Sequence, residues 1–173
     1  MKSFVIGLTV AALAVASPAL AALKVGDKAP TFTLKAATDG KVRSFSLKTA
    51  LKDGPVVVYF YPKAFTGGCS LEAHQFSEAI DKFSAKHVSV IGVSTDDIGT
   101  LQKFSSADCQ GKFPVAADTT AKVVTAYDAK MSDAKMANRI SYVIGQDGKI
   151  SFVHDSGDAS THVSALLTAV GAG

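Results

Sequence analysis

The chain has 173 residues, enough for one domain with a substantial core, and 47% of its residues are hydrophobic. Its formal net charge is only +3 at pH 7, and its lysines and arginines form no cluster. This composition gives no support for a nucleic-acid-binding protein or for one that binds an anionic membrane surface.

The first predicted element is a secretory signal peptide over residues 1–21. Lys2 provides a positive start, an apolar segment follows over residues 4–15, and Ala19-Leu20-Ala21 forms a small-x-small cleavage site. The alternative is an uncleaved membrane anchor, because the uncharged stretch 4–22 approaches the minimum length of a membrane span. Pro18 and the cleavage pattern favour removal. We therefore expect an exported mature chain of residues 22–173, located in a bacterial periplasm and free of the membrane.

The remaining elements alternate between strands and helices. Strands are predicted, from β-branched and alternating apolar residues, at 30–34, 41–47, 55–61, 88–93, 113–116, 140–144 and 150–153. Helices are predicted at 70–86, 98–104, 119–127 with Asp118 as N-cap, and 163–170. The turns at Asp39-Gly40 and 146–149 close the first two and the last two strands into hairpins.

This order predicts an α/β protein with a thioredoxin-like fold, in which helices flank a mixed central sheet and a β-hairpin comes first. The continuous apolar strand 55–61 is typical of a strand buried on both faces. It is followed by a helix and a second buried strand, 88–93, which makes a βαβ unit with a parallel strand pair. Ligands of such sheets bind beyond the carboxyl ends of the strands, and Cys69 follows strand 55–61 at that place.

The surroundings of Cys69 favour a reactive thiol. A thiol attacks as its thiolate, which the N-terminus of a helix stabilises. Gly67 and Gly68 allow close approach of the backbone, Thr66 supplies a hydroxyl, and Pro62 stiffens the loop. Lowering a thiol pKa accelerates attack by only about tenfold, and part of this gain is lost with nucleophilicity. The site therefore also needs donors that stabilise the transition state, namely Thr66 and a cation from elsewhere in the chain.

The segment Pro62-Lys-Ala-Phe-Thr66-Gly-Gly-Cys69 resembles the signature of the peroxiredoxins, the alkyl hydroperoxide reductase and thiol-specific antioxidant family. It is most similar to the bacterioferritin-comigratory, or peroxiredoxin Q, group, and the resemblance extends from residues 24–34 to residues 138–150. It implies a thiol peroxidase that reduces hydrogen peroxide and organic hydroperoxides without a cofactor. It also implies a thioredoxin- or glutaredoxin-like reductant and a monomer or weak dimer.

The resemblance also implies roles for single residues. Cys69 matches the peroxidatic cysteine, and Arg139, directly before strand 140–144, matches an arginine that contacts sulfur and peroxide in the family. Arg139 could instead be a solvated charge at a strand end. Glu72 matches an acidic residue that braces the site, although a glutamate in the first turn of a helix also favours the helix dipole.

Two positions depart from the family pattern. Gly67 replaces a proline that many members carry, which makes the loop more flexible. His74 replaces a resolving cysteine, and its helical spacing from Cys69 predicts a surface histidine instead. Cys109 is then the candidate resolving cysteine, forming an intramolecular disulfide with Cys69. The alternatives are a buried, inert Cys109 in a one-cysteine enzyme, or an intermolecular bridge.

Other functional classes receive less support. A dithiol oxidoreductase needs a Cys-x-x-Cys pair, which the sequence lacks, and the four histidines form no cluster with metal-ligand spacing. His154 and His162 are predicted to be surface or hairpin residues. The non-enzymatic alternative is an exported structural or chaperone-like domain with a permanent Cys69–Cys109 disulfide.

Overall fold

The computed structural model describes residues 22–132 and 135–173, so the predicted signal peptide, residues 1–21, lies outside the described residues. The strands are β1 Thr33–Thr38, β2 Lys41–Ser46, β3 Val56–Phe60, β4 Ser89–Ser94, β5 Val115–Ala117, β6 Ile140–Ile144 and β7 Ile150–Asp155. The helices are α1 Leu47–Ala50, α2 Gly67–Ser84, α3 Ile98–Ala107, α4 Lys122–Ala126 and α5 His162–Ala169. A short 3₁₀ turn, Ala159–Thr161, precedes α5.

The strands form one mixed seven-stranded sheet in the order β2-β1-β5-β4-β3-β6-β7. Strand β3 pairs in parallel with β4, and β4 pairs in parallel with β5. Strand β6 is antiparallel to β3, and hairpins join β1 to β2 and β6 to β7. Every residue of β3 is buried, as the continuous apolar run predicts. The predicted thioredoxin-like α/β fold is confirmed.

The sheet separates two apolar cores. Helices α2, α3 and α5 pack on one face, against the inward side chains of Tyr59 and Tyr61, and this core also contains Cys69 and Cys109. Helices α1 and α4 pack on the other face, in a core whose aromatic residues include Phe60, Tyr127 and Tyr142. All four tyrosines of the chain are therefore buried, two on each side of the sheet. Among the helices that the structure describes, none is both long and apolar enough to cross a membrane.

Several predicted element boundaries are wrong. Strand β1 begins at Thr33 instead of residue 30, and α2 begins at Gly67, three residues before the predicted start. Helix α4 begins at Lys122 instead of residue 119, because Ala121 adopts the left-handed conformation at φ +55°. Asp118 is therefore not the residue next to the helix. Its carboxylate nevertheless accepts hydrogen bonds from the Lys122 and Val124 amides of α4, so it satisfies first-turn donors from a distance.

Candidate active site

Cys69 lies in the first turn of α2, just beyond the carboxyl end of β3. Thr66 is the N-cap residue, and Cys69 is the third residue of the helix. First-turn amides have no carbonyl partner within their own helix, so they are available to an anion beside the sulfur. The Cys69 side chain is only 2% exposed, so a thiolate formed there is largely shielded from solvent.

The loop that carries Pro62 and Thr66 is anchored to the end of β4. The Ala64 amide donates to Asp96 Oδ2 at 2.8 Å, and Ser94 Oγ donates to the same oxygen at 2.9 Å. The hydroxyl of Thr66 donates to the Lys63 carbonyl at 3.0 Å, so here it holds the loop. Its role toward a bound peroxide stays a prediction.

Arg139 is the cation that lies beside the sulfur. The antiparallel register places Ile140 opposite Phe60, so Arg139 stands next to the loop that follows β3. Its Nη2 lies 3.4 Å from Cys69 Sγ, and its Nη1 donates to Glu72 Oε2. A Cβ at Gly68 would lie 3.2 Å from Arg139 Nη2, so glycine at this position leaves room for the guanidinium. Cys69, Glu72 and Arg139 are thus brought together from two elements.

Glu72 lies beneath this guanidinium and is completely buried. Burial raises the pKa of its carboxyl to about 8, although the charge and hydrogen bond of Arg139 oppose the shift. Burial disfavours the Arg139 charge, yet Glu72 and Cys69 together keep the pKa of Arg139 above its ordinary value. A proton on Glu72 therefore decides how many negative groups share the Arg139 charge.

His162 is the main site residue that the sequence misplaces. The sequence predicts a surface or hairpin residue, but His162 begins α5, is 0% exposed and lies against the active-site carboxylate. Its Nδ1 is 3.6 Å from Glu72 Oε1 and 2.7 Å from Ser141 Oγ. The available signal was helical spacing, because His162 stands beside Val163 and four residues before Leu166 on the apolar face of α5. His154, a residue of the β6–β7 hairpin as predicted, packs against the His162 ring with centroids 4.5 Å apart.

Cys109 follows α3 and is completely buried, and both cysteines are free thiols. Three hydrogen bonds join its segment, residues 108–112, to one face of α2, and we call them the α2 clamp. They are Ser70 Oγ to Asp108 Oδ2 at 2.9 Å, Gln110 Nε2 to His74 Nδ1 at 3.0 Å, and Lys112 Nζ to the Ser77 carbonyl at 3.1 Å. The clamp holds the segment of Cys109 against the helix of Cys69. It also accounts for His74, which is exposed as predicted and lies 3.5 Å from Glu78.

The chemistry of the two thiols differs. Burial, and secondarily the Asp108 carboxylate, raise the pKa of the Cys109 thiol well above its ordinary value. While the clamp is closed, Cys109 is therefore a protonated, poor nucleophile. Cys69 is the thiol with a cation beside its sulfur, so the arrangement favours attack by Cys69.

Gly67→Pro should stabilise the protein by about 0.5–1 kcal/mol, because proline restricts the unfolded chain and is favoured at the first position of a helix. No atom lies within 4 Å of a Cβ added at Gly67, so the substitution meets no obstacle. Urea unfolding measures the change. Gly68→Ala is the matched control, since its Cβ presses on Arg139. We expect it to slow the reaction of Cys69 with peroxide, whereas slower reaction in Gly67→Pro as well would contradict this assignment of the two glycines.

Comparisons with known proteins show the family of the chain. Residues 25–153 match the model of the AhpC/TSA family. The peroxiredoxin Bcp of Escherichia coli K12 is 32% identical over 151 residues, covering 84% of this chain and 94% of that protein. A Mycobacterium tuberculosis H37Rv protein with a peroxiredoxin name is 36% identical over 151 residues, covering 83% of this chain and 92% of its own.

Solved structures share the fold. The crystal structure of peroxidoxin BcpB from Mycobacterium tuberculosis superposes with a TM-score of 0.78 at 28% identity, covering 87% of this chain and 97% of that one. The shared fold therefore extends over most of this chain and nearly all of that one.

Proposed function

Because this chain belongs to the AhpC/TSA family and is a peroxiredoxin, a thiol peroxidase, we propose that it reduces hydrogen peroxide and organic hydroperoxides through Cys69. The observation that carries the assignment to Cys69 is the position of Arg139 Nη2, 3.4 Å from the buried sulfur. A cation at this distance stabilises the thiolate and can hold the oxygen atoms of a peroxide at the same time.

In the proposed reaction the Cys69 thiolate attacks the hydroxyl oxygen of the hydroperoxide. The sulfur–oxygen bond forms, the oxygen–oxygen bond breaks, and the proton of the attacked oxygen ends on the leaving oxygen. Water or an alcohol departs, and Cys69 carries a sulfenate, oxidised by two electrons. Arg139, the Thr66 hydroxyl and the first-turn amides of α2 stabilise the charge on the reacting oxygens, while Pro62 keeps the loop in place.

Cys109 then resolves the oxidised Cys69. Its thiolate attacks the sulfenic acid, hydroxide leaves and takes up a proton as water, and an intramolecular disulfide remains. The clamp has to open first, because the thiol is buried and protonated in the closed form. A thioredoxin- or glutaredoxin-like dithiol protein returns both cysteines to thiols.

The deciding experiment is stoichiometric. The protein is reduced, one equivalent of hydrogen peroxide is added, and free thiols and intact mass are followed under non-reducing conditions. We expect both free thiols to disappear rapidly and the protein mass to fall by that of two hydrogen atoms. In Cys69→Ser we expect neither the remaining thiol nor the mass to change. Loss of one thiol with gain of one oxygen keeps the peroxidase and removes Cys109 from it. Thiols that survive excess peroxide for many minutes would leave the peroxidase proposal without support and favour a permanent structural disulfide.

Asp108→Asn should accelerate the resolving step, in which Cys109 attacks the oxidised Cys69, about threefold to tenfold. The substitution removes the charge that helps to raise the pKa of Cys109, and it weakens the bond to Ser70. Stopped-flow measurement of disulfide formation after a peroxide pulse tests this. Asp97→Asn is the control, since Asp97 is an exposed carboxylate at the other end of α3. In the natural protein and in Asp108→Asn alike, disulfide formation should become faster as the pH rises through neutrality, because a larger fraction of Cys109 ionises. Unchanged kinetics in Asp108→Asn would mean that the clamp does not limit resolution.

We also propose export to the periplasm with cleavage after Ala21, and a monomer or weak dimer in solution. The charged Lys2, the apolar segment and the Ala19-Leu20-Ala21 pattern support export. Expression of the full chain in a Gram-negative host, followed by intact mass of the periplasmic fraction, should give a protein that begins at Ala22. Recovery of the uncut chain in the membrane fraction would support the anchor instead. Sedimentation of the released protein gives its oligomeric state.

A further inference from the structure

The protonation of His162 follows from its hydrogen bonds. Its Nε2 lies 2.9 Å from the carbonyl oxygen of Ser156, which can only accept, so Nε2 carries a proton. Burial lowers the pKa of His162 to about 4, so at neutral pH the ring carries no second proton. Its Nδ1 therefore presents a lone pair, toward the hydroxyl of Ser141 at 2.7 Å and toward Glu72 Oε1 at 3.6 Å.

The two oxygens of Glu72 have different surroundings. Oε2 receives the Arg139 hydrogen bond, whereas the buried Oε1 has no hydrogen-bond partner within residues 22–132 and 135–173. A protonated carboxyl can donate from Oε1 to the Nδ1 lone pair after a small approach of the two groups. An ionised carboxylate has no such use for Nδ1, which then accepts only from Ser141.

We propose that His162 is a positioning residue of the peroxidatic site: its Nδ1 accepts the hydrogen bond of a proton on Glu72 Oε1, and the Glu72–His162 pair thereby sets how much of the Arg139 charge is available to the Cys69 sulfur. His162 touches neither the sulfur nor the peroxide and acts through Glu72 and Arg139. The inference deepens the function proposed for Cys69 and rests on it.

The direction of the effect follows from charge balance. With a proton on Glu72, the Arg139 guanidinium faces one anion, the thiolate, and with Glu72 ionised it faces two. The positive charge then stabilises the thiolate and the reacting oxygens less. A hydrogen bond from the neutral carboxyl to His162 favours the protonated form, so His162 keeps Arg139 directed to the sulfur.

Few other charges face this pair. Arg139 lies before β6, and on β7 the ring of His154 packs against His162 and Asp155 lies nearby. Asp158, in the turn before α5, is exposed and interacts with both His162 and Arg139. On α2 the other group that carries charge near the pair is the Cys69 thiolate, which faces Arg139.

Two substitutions of His162 distinguish the contributions of its two ring nitrogens. His162→Asn keeps a polar atom near the place of Nδ1, facing Glu72, whereas His162→Gln keeps one near the place of Nε2, facing the Ser156 carbonyl. The whole chain contains only two glutamates, Glu72 and the exposed Glu78, so carbon-13 labelling of glutamate gives two carboxyl signals. Their pH titration by NMR follows Glu72 directly and requires no reaction with peroxide.

We expect the midpoint of Glu72 to stay close to its natural value in His162→Asn and to fall by about one pH unit in His162→Gln, a tenfold change in its ionisation. Reaction of Cys69 with peroxide should then slow about fivefold at pH 8 in His162→Gln and by less than about twofold at pH 6. A general loss of structure would slow the reaction equally at both pH values. Ser141→Ala, which frees His162 Nδ1 for Glu72, should raise the titration midpoint of Glu72. This variant tests the inference even if a His162 variant does not fold.

An unchanged midpoint in His162→Gln or in Ser141→Ala overturns the inference, and so does an equal shift in His162→Asn and His162→Gln. The proposed function fails separately. If Cys69 is inert to peroxide, the titration still decides whether His162 and Glu72 share a hydrogen bond, while its relevance to peroxide reduction is lost. If peroxide reduction proceeds and the titration shows no coupling, only the role of His162 falls.

Discussion

Arg139→Lys should lower the rate constant for the reaction of Cys69 with peroxide by about a hundredfold or more. The guanidinium holds Cys69 Sγ with Nη2 and Glu72 Oε2 with Nη1, in a fixed fork that one ammonium group cannot reproduce. Arg139→Gln should be slower still, because it also removes the charge. Stopped-flow kinetics with hydrogen peroxide under single-turnover conditions measures the step without any reductant.

The control for this prediction is built into the sequence. The chain has only two arginines, and the other, Arg43, is exposed on the edge strand β2, so Arg43→Lys should react at the natural rate. A loss of less than about fivefold in Arg139→Lys would mean that one point charge suffices, and that the fork geometry contributes little. Circular dichroism of each variant excludes unfolding as the cause.

Cys109→Ala should preserve the first turnover and strongly slow the later ones. Its Cys69 still meets Arg139 and oxidises, but the sulfenic acid has no thiol within the chain to resolve it. With a thioredoxin-like reductant, steady-state turnover should fall by at least about tenfold, since a sulfenic acid in a site only 2% exposed is poorly accessible to another protein. Alanine is preferred to serine because it leaves no unpaired hydroxyl in the core.

Mass spectrometry after a peroxide pulse distinguishes the outcomes. The variant should gain one oxygen at Cys69, and further peroxide should drive it to the irreversible sulfinic acid. Full turnover by Cys109→Ala would show that the enzyme works with one cysteine and that Cys109 is a buried core residue. Excess reductant added before the peroxide pulse tests whether an external thiol can replace Cys109.

The fold was predictable because its signals are local. The apolar run 55–61 became the fully buried β3, and the turns at Asp39-Gly40 and Asp147-Gly148 closed both hairpins. The errors arose where the backbone departs from local preference. Ala121 in the left-handed conformation delays α4, and no feature of alanine predicts that conformation.

The site was predictable only in part. The residues around Cys69 are close in sequence, and the resemblance to a family indicated Arg139, which the structure places beside the sulfur. The burial of His162 depends on how α5 is rotated against α2 and β6, and this rotation is set by packing between residues far apart in the chain. The α2 clamp was missed for the same reason, because Ser70 and Asp108 are separated by 38 positions.

The distribution of tyrosines gives the protein its own optical signal. The chain has no tryptophan, so its near-ultraviolet emission comes from four tyrosines. Tyr59 and Tyr61 share one core with both thiols, while Tyr127 and Tyr142 lie across the sheet. Conversion of the thiols to a disulfide should therefore change the quenching of the first pair, while the second pair contributes a nearly constant emission. The proposed thiol–disulfide cycle can then be followed in the unlabelled natural sequence, in real time.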